Sequence, residues 1–161
     1  MYTIDASVWV NGFDQREPGH EISRKVLGLL HARGASIILP NLVLVEVAGA
    51  ISRTRGDQAQ AEAFAASLSR LPNVTFAPLD KSYAHLAQTL AAQHGLRGAD
   101  AVYAAVAKQA ASTLITLDNE HLTRLTDIIT TCIPAAVLDG LMLAAQTEDD
   151  DLEQHQEDGQ S

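Results

Sequence analysis

Cysteine, aromatic rings and basic side chains are all scarce in this chain, and each shortage excludes something. The one cysteine, Cys132, has no partner for an intramolecular disulfide and no CxxC or Cys/His spacing around it. It reads as an inert residue in or beside a strand, and a reducing, cytoplasmic setting is the expectation. Aromatic residues are 4% of the 161, so the core must be built from alanine, leucine, valine and isoleucine. No apolar run is long enough to span a bilayer. The N-terminus enters a strand-like segment at once, with neither a basic stretch nor a cleavage site, so no signal peptide is expected. The six histidines (His20, His31, His85, His94, His121 and His155) show no HxxxH or HExxH spacing, which leaves zinc unsupported. His121, three residues after Asp118, is the one placed to approach an acidic cleft. A phosphate-cradling glycine loop is missing too, because Gly95-Leu-Arg-Gly98 lacks the required lysine and spacing.

Lys and Arg number 11 against 20 Asp and Glu, for a net charge of −9. The excess is concentrated at the C-terminus, where Glu148, Asp149, Asp150, Asp151, Glu153, Glu157 and Asp158 stand without a single cation. Removing those seven acids from the total leaves the rest of the chain at −2. A segment this polar cannot bury enough apolar surface to fold, so residues 147–161 are expected to be a disordered acidic tail and 1–146 a single domain. The tail serves solubility or competes with nucleic acid for a basic surface. A body charge near −2 provides no general basic field, so nucleic-acid binding would rest on local patches. Candidates are Arg16, Arg24 and Lys25, and Arg53 with Arg55; each is equally an ordinary solvated helix position.

The hydrophobic pattern alternates short strands with helices. Residues 2–10 read as a buried strand ending at a turn, Asn11-Gly12. Helical spacing of Ile22, Val26, Leu29 and Leu30 predicts a helix over 20–33. Strands are expected at 35–39, 74–77, 113–117 and 128–132, with helices at 41–55, 57–70, 80–94, 99–111 and 120–125 and a further one after Pro134. Asp57, with Gln60 three residues on, predicts a capped helix start. Such alternation implies an α/β/α three-layer domain around a parallel sheet.

Against that background four acids stand out, each at the edge of an apolar segment. They are Asp5 in Met1-Tyr-Thr-Ile-Asp-Ala-Ser-Val-Trp9, Glu46 in Leu42-Val-Leu-Val-Glu-Val-Ala48, Asp100 in Leu96-Arg-Gly-Ala-Asp-Ala-Val-Tyr103, and Asp118 in Leu114-Ile-Thr-Leu-Asp118. A carboxylate among residues that must be buried is costly to desolvate unless something compensates it. Singly, Asp100 could start a helix and Asp118 a turn. Together the four point to a shared compensator, for which a hard divalent cation with oxygen ligands is the natural candidate. Asp5 and Asp118 fall at strand C-termini, the edge of a parallel sheet where ligands bind.

These segments carry a resemblance. Ile4-Asp-Ala-Ser7, Val45-Glu46, Leu96-Arg-Gly-Ala-Asp-Ala-Val-Tyr-Ala-Ala105 and Ile115-Thr-Leu-Asp118 stand in order, and from Met1 to Leu138 the chain resembles PIN-domain proteins, above all the VapC toxins of bacterial toxin–antitoxin pairs. The resemblance implies a Mg²⁺- or Mn²⁺-dependent endoribonuclease, a homodimer held inactive by a cognate antitoxin, with cleavage leaving a 5′-phosphate and a 3′-hydroxyl. It maps the acidic site and metal ligands to Asp5, Glu46, Asp100 and Asp118. Ser7 and Thr116 match supporting hydroxyls, and Arg97 matches a frequent family arginine that holds phosphate, though a surface ion pair would also explain it. The alternatives are a nuclease-like module that binds RNA or protein without cutting, and a housekeeping RNA-processing nuclease. Replacing Asp5 by Asn is expected to abolish cleavage and to relieve repulsion among the acids.

Overall fold

The computed structural model describes the backbone of residues 1–158 and the side chains of residues 1–147. Strands β1 (Tyr2–Ile4), β2 (Ile37–Pro40), β3 (Val74–Ala77), β4 (Thr113–Ile115) and β5 (Thr131–Cys132) form one parallel sheet in the order β3-β2-β1-β4-β5. The flanking helices are α1 (Ala6–Phe13), α2 (His20–Ala32), α3 (Leu42–Arg55), α4 (Gln58–Leu68), α5 (Lys81–His94), α6 (Gly98–Gln109), α7 (Asn119–Arg124) and α8 (Pro134–Asp158). Among the described residues no helix is long and apolar enough to cross a membrane. The acidic tail expected to be disordered, 147–161, runs beyond the described residues, and its acidic side chains lie outside them.

The shortage of aromatics shapes the packing. Residues Ala101 to Ala107 of α6 are all buried, four of them alanine, so that helix lies close against β1, β2 and β4. Ile4, Leu39, Leu114 and Ile115 line the sheet within the same core, joined by Val8, Val26, Leu30, Val47 and Ile51 from the helices. Burying one such aliphatic side chain contributes about 1.5–3 kcal/mol. Cys132 sits half-buried in β5, as a small apolar residue would.

One element departs from the sequence pattern. Residues 2–10 were expected to be a single strand, yet the strand ends at Ile4 and a helix begins at Ala6. The cause is Asp5. Its backbone is extended while its carboxylate accepts the Ser7 N–H at 3.0 Å, an N-cap that offers the following residues a helix. The short apolar run Val8-Trp9-Val10 suits a buried strand, but the helix buries Ala6, Val8, Trp9 and Asn11 instead. The remaining expected elements are present, with ends displaced by a few residues.

This topology has a switch point. Connections run to one side of β1 through β2 and β3, and to the other through β4 and β5. The chain leaves β1 and β4 at adjacent positions, since Ile4 is aligned with Ile115. Crevices at such a point open beyond the carboxyl ends of the strands. The opposite approach, into α6, is set by the turn after α5. Gly95 adopts φ +64°, and Arg124 Nη1 donates to the Gly95 carbonyl at 2.6 Å, closing the end of α5 just before Asp100. The left-handed backbone favours glycine there, and a Cβ at this position, 2.9 Å from that same Arg124 nitrogen, would also push the guanidinium off its carbonyl.

Candidate active site

The crevice at the switch point is a cleft of about 600 Å³. Its lining includes Asp5, Ser7, Glu46, Asp100 and Asp118, so the four acids expected from the sequence come together. Each arrives from a different element: Asp5 caps α1, Glu46 is in the second turn of α3, Asp100 is in the first turn of α6, and Asp118 caps α7. Glu17 adds a fifth carboxylate, and Arg53 is the only cation in the lining.

Asp5 is the most constrained of the group. Its Oδ1 accepts from the Ser7 backbone, and its Oδ2 accepts from the buried Thr116 hydroxyl at 2.7 Å and faces His121 Nδ1 at 3.1 Å. Burial opposes ionisation, but the His121, Ser7 and Thr116 bonds outweigh it and hold the carboxyl below the usual aspartate value. Thr116 Oγ1 also accepts the Asp118 N–H at 2.9 Å, so one hydroxyl ties the ends of β1 and β4 together. Ser7 makes a parallel tie, its Oγ accepting the Leu117 N–H at 3.2 Å. Both hydroxyls expected to support the site therefore touch it.

Glu46 and Asp100 behave in the opposite way. Burial pushes Glu46 upward, the Tyr103 hydroxyl donating to its Oε2 at 2.6 Å pulls it down, and the neighbouring Asp5 and Asp100 charges raise it again. The net direction is up. Asp100 is raised by burial against the pull of His121, with the Asp118 and Asp5 charges adding to the rise. Its Oδ2 is buried and accepts no hydrogen bond. A buried carboxylate oxygen without a donor is a position where a cation gains the most.

His121 lies beneath these acids, fully buried. Its Nδ1 faces Asp5 Oδ2 and Thr116 Oγ1, and its Nε2 is 3.3 Å from the Asp100 carbonyl and 3.7 Å from Asp100 Oδ1. Burial disfavours its charge, yet the Asp5 bond and the Asp5 and Asp100 charges raise its pKa above the ordinary 6.5. Acceptors at both ring nitrogens suit the imidazolium form.

The donor set consists of carboxylate oxygens, which suit Mg²⁺ or Mn²⁺ and not a soft or zinc-type ion. Among the described residues, no three acidic, His or Cys side chains are gathered into a ready coordination shell. The chemistry of the cleft fits a hard divalent cation, then, while its carboxylates stand apart around an open space.

Arg97 is placed differently from the other expected residues. It is the N-cap of α6, its side chain is 74% exposed, and its guanidinium is 3.8 Å from Glu120 Oε1. Neither Arg97 nor Glu120 lines the cleft. Tyr103, Asn11 and Glu17 had no place in the sequence reading. A signal for Tyr103 existed, because it follows Asp100 by three on one helix face and a buried tyrosine hydroxyl needs a partner. Asn11 approaches from α1 itself and Glu17 from the turn after it, which a strand reading of that segment hides.

The PIN domain family model matches residues 2–128. Three solved structures share the fold. VapC20 of Mycobacterium tuberculosis, a Sarcin-Ricin loop cleaving toxin, superposes with a TM-score of 0.65 at 17% identity, over 74% of this chain and 91% of that one. FitAcB of Neisseria gonorrhoeae gives 0.63 at 20% identity, over 83% and 98%. VapBC2 of Rickettsia felis, bound to a DNA fragment from its promoter, gives 0.60 at 17%, over 82% and 97%. No curated protein sequence matches the chain significantly.

Proposed function

The chain belongs to the PIN domain family, and on that premise we propose that it is a Mg²⁺- or Mn²⁺-dependent endoribonuclease, the toxin of a VapBC-type pair. The observation that carries the reading is the convergence of Asp5, Glu46, Asp100 and Asp118, from four separate segments, on one cleft at the topological switch point. The buried Asp100 oxygen without a donor supports it, as does the upward pressure on Glu46 and Asp100, since a bound cation relieves both.

In this reading Asp5, Asp100 and Asp118 provide most of the metal ligation, and Glu46 binds directly or through water and positions the attacking water. When bound, the cation lowers the pKa of a water and offsets charge on the phosphate oxygens. Thr116 and Ser7 keep Asp5 and the Asp118 turn in register, and Tyr103 sets the direction of the Glu46 carboxylate. The water oxygen attacks phosphorus in line and the bond to the 3′ oxygen breaks. That oxygen leaves with a proton, giving a 3′-hydroxyl and a 5′-phosphate. Arg97, outside the lining, is assigned to more distant substrate phosphate.

The partner in this reading is a VapB-like antitoxin in the cytoplasm, and the active assembly is a homodimer. Structures of toxin–antitoxin complexes among the fold's relatives support the antitoxin. The test is cleavage of a mixed set of single-stranded and structured RNAs by wild type and Asp5→Asn, in Mg²⁺, Mn²⁺ and EDTA, with product ends mapped. Metal-dependent cuts with 5′-phosphate ends, absent in the variant, are expected. Equal cutting by Asp5→Asn, or cutting in EDTA, would remove the acidic site from the reaction. Binding of RNA without cutting under any condition would favour the silent binding module.

A further inference from the structure

The cleft is lined by five carboxylates and one guanidinium, that of Arg53. Arg53 lies seven residues after Glu46 on α3 and therefore on the same helix face. Its side chain folds back along the helix: Nη1 stands 3.1 Å from where a Cβ would be if residue 49 were not glycine. Gly49 leaves a shelf for the guanidinium three residues, or about 4.5 Å of helical rise, from the level of Glu46.

What the guanidinium meets there is as telling as where it lies. Arg16 and Arg55 are paired with Asp14, Arg24 with Glu21, and Arg97 faces Glu120. Among the described residues Arg53 forms no ion pair and donates no hydrogen bond, although it borders a cleft lined by five carboxylates. Its five donors are thus available to a ligand, and a planar fork of this kind matches a phosphate. No aromatic residue lines the cleft among those described, so no base-stacking platform competes for the task of holding a strand. A single-stranded polyanion approaching five carboxylates is repelled except at the cation and at Arg53.

We propose that Arg53 binds the backbone phosphate adjacent to the scissile one and so sets the position of the RNA strand in the cleft. This rests on the nuclease reading and deepens it. Arg53 is a positioning residue that acts on binding, equally before and during the reaction, so its loss falls on KM and far less on kcat.

The test compares wild type, Arg53→Ala and Arg53→Lys on a cleavable single-stranded RNA oligonucleotide at several salt concentrations. It is paired with fluorescence anisotropy of the same RNA bound to Asp5→Asn protein with and without the Arg53→Ala change. Losing hydrogen bonds to a charged group predicts a KM raised about 10- to 100-fold in Arg53→Ala. The slope of log affinity against log salt should shrink by about 0.7, as for one phosphate contact on a single strand. Lysine keeps the charge without the fork and should fall between. A melting temperature unchanged by each Arg53 substitution, in the wild-type and in the Asp5→Asn background, confirms that the Arg53 variants are folded. KM and salt slope equal to wild type in Arg53→Ala would overturn the proposal while leaving the nuclease intact. If wild type cuts no RNA, the nuclease reading fails, and the anisotropy pair still decides: equal binding with and without Arg53 overturns the phosphate contact, and a loss of about tenfold or more upholds it.

Discussion

Replacing the acids one at a time by their amides should move stability in opposite directions, which separates a designed network from simple crowding of charge. Repulsion among the carboxylates alone predicts that any amide, Asp5→Asn included, stabilises the metal-free protein. The contacts reverse that sign. Asp5 is held below its ordinary value of 3.8 by His121, Ser7 and Thr116, so its ionised form is stabilised by folding. Asparagine can keep the Ser7 bond, but its NH₂ group meets the Thr116 hydroxyl and the His121 N–H as a third donor. Losing bonds to a charged acceptor costs about 1.5–3 kcal/mol. For a domain of this size, at about 2–4 °C per kcal/mol, that lowers Tm by about 3–12 °C. Asp100 is held above 3.8 and its Oδ2 has no donor, so its ionised form is disfavoured and Asp100→Asn should raise Tm. The assay is thermal melting in EDTA at pH 7. The linkage follows: the Asp5 contribution is present above pH 3.8 and is lost as pH falls through the lowered folded value. The Asp100 penalty exists only above pH 3.8 and should vanish below it, where Asp100 is protonated in both states. Tm raised by both amides at pH 7 would refute the network and restore plain repulsion.

Two other outcomes can be read directly. His121, raised above 6.5, contributes stability that is complete below pH 6.5 and lost as pH climbs through its folded value; His121→Gln should remove that alkaline decline, as followed by urea midpoints in EDTA across the range. Tyr103→Phe deletes the 2.6 Å bond to Glu46 and should lower stability by about 1–2 kcal/mol; it should also push the acidic limb of a cleavage pH profile upward, because Glu46 then protonates more readily, and an unmoved limb would mean that Glu46 does not titrate in the reaction.

How far the site could be read from the sequence depends on which forces placed each residue. The four acids were legible because each interrupts an apolar segment, a cost visible in one dimension. Val74–Ala77 was legible as a strand because turn residues close it on both sides, and α3 because Pro40 halts the strand before it. The strand reading of residues 6–10 failed because so short an apolar run is compatible with either period, and a single bond, from the Ser7 N–H to the Asp5 carboxylate, decides between them. His121 could be placed near the cleft by its distance from Asp118. Its role beneath the acids could not, because that depends on Asp5, 116 residues away in sequence, and on a carbonyl of α6. Arg53 looked like one of several helix cations, and its place in the cleft lining and the space left by Gly49 distinguish it only in three dimensions.

The arrangement beneath the cleft also explains how so acidic a surface folds without a cation. Acids that meet only one another would force protons on or the helices apart, since like charges at this range raise each other's pKa. Here Asp5 is met from the core side by His121, whose pKa its acidic neighbours raise and whose other ring nitrogen faces the Asp100 carbonyl, and Tyr103 covers one oxygen of Glu46. Compensation is incomplete at two of the acids that line the cleft: Asp100 Oδ2 is buried without a donor, and Glu46 and Asp100 are pushed toward protonation. The residual cost is thus directed at the open cleft, where a divalent ion can recover it. Moving that compensation outward, with a lysine at the exposed Val45 beside Glu46, should lower the affinity for Mg²⁺ and raise Tm in EDTA. Magnesium titration followed by melting would measure both, and a Val45→Lys protein that binds Mg²⁺ as tightly as wild type would show that the outer charge is not what draws the ion.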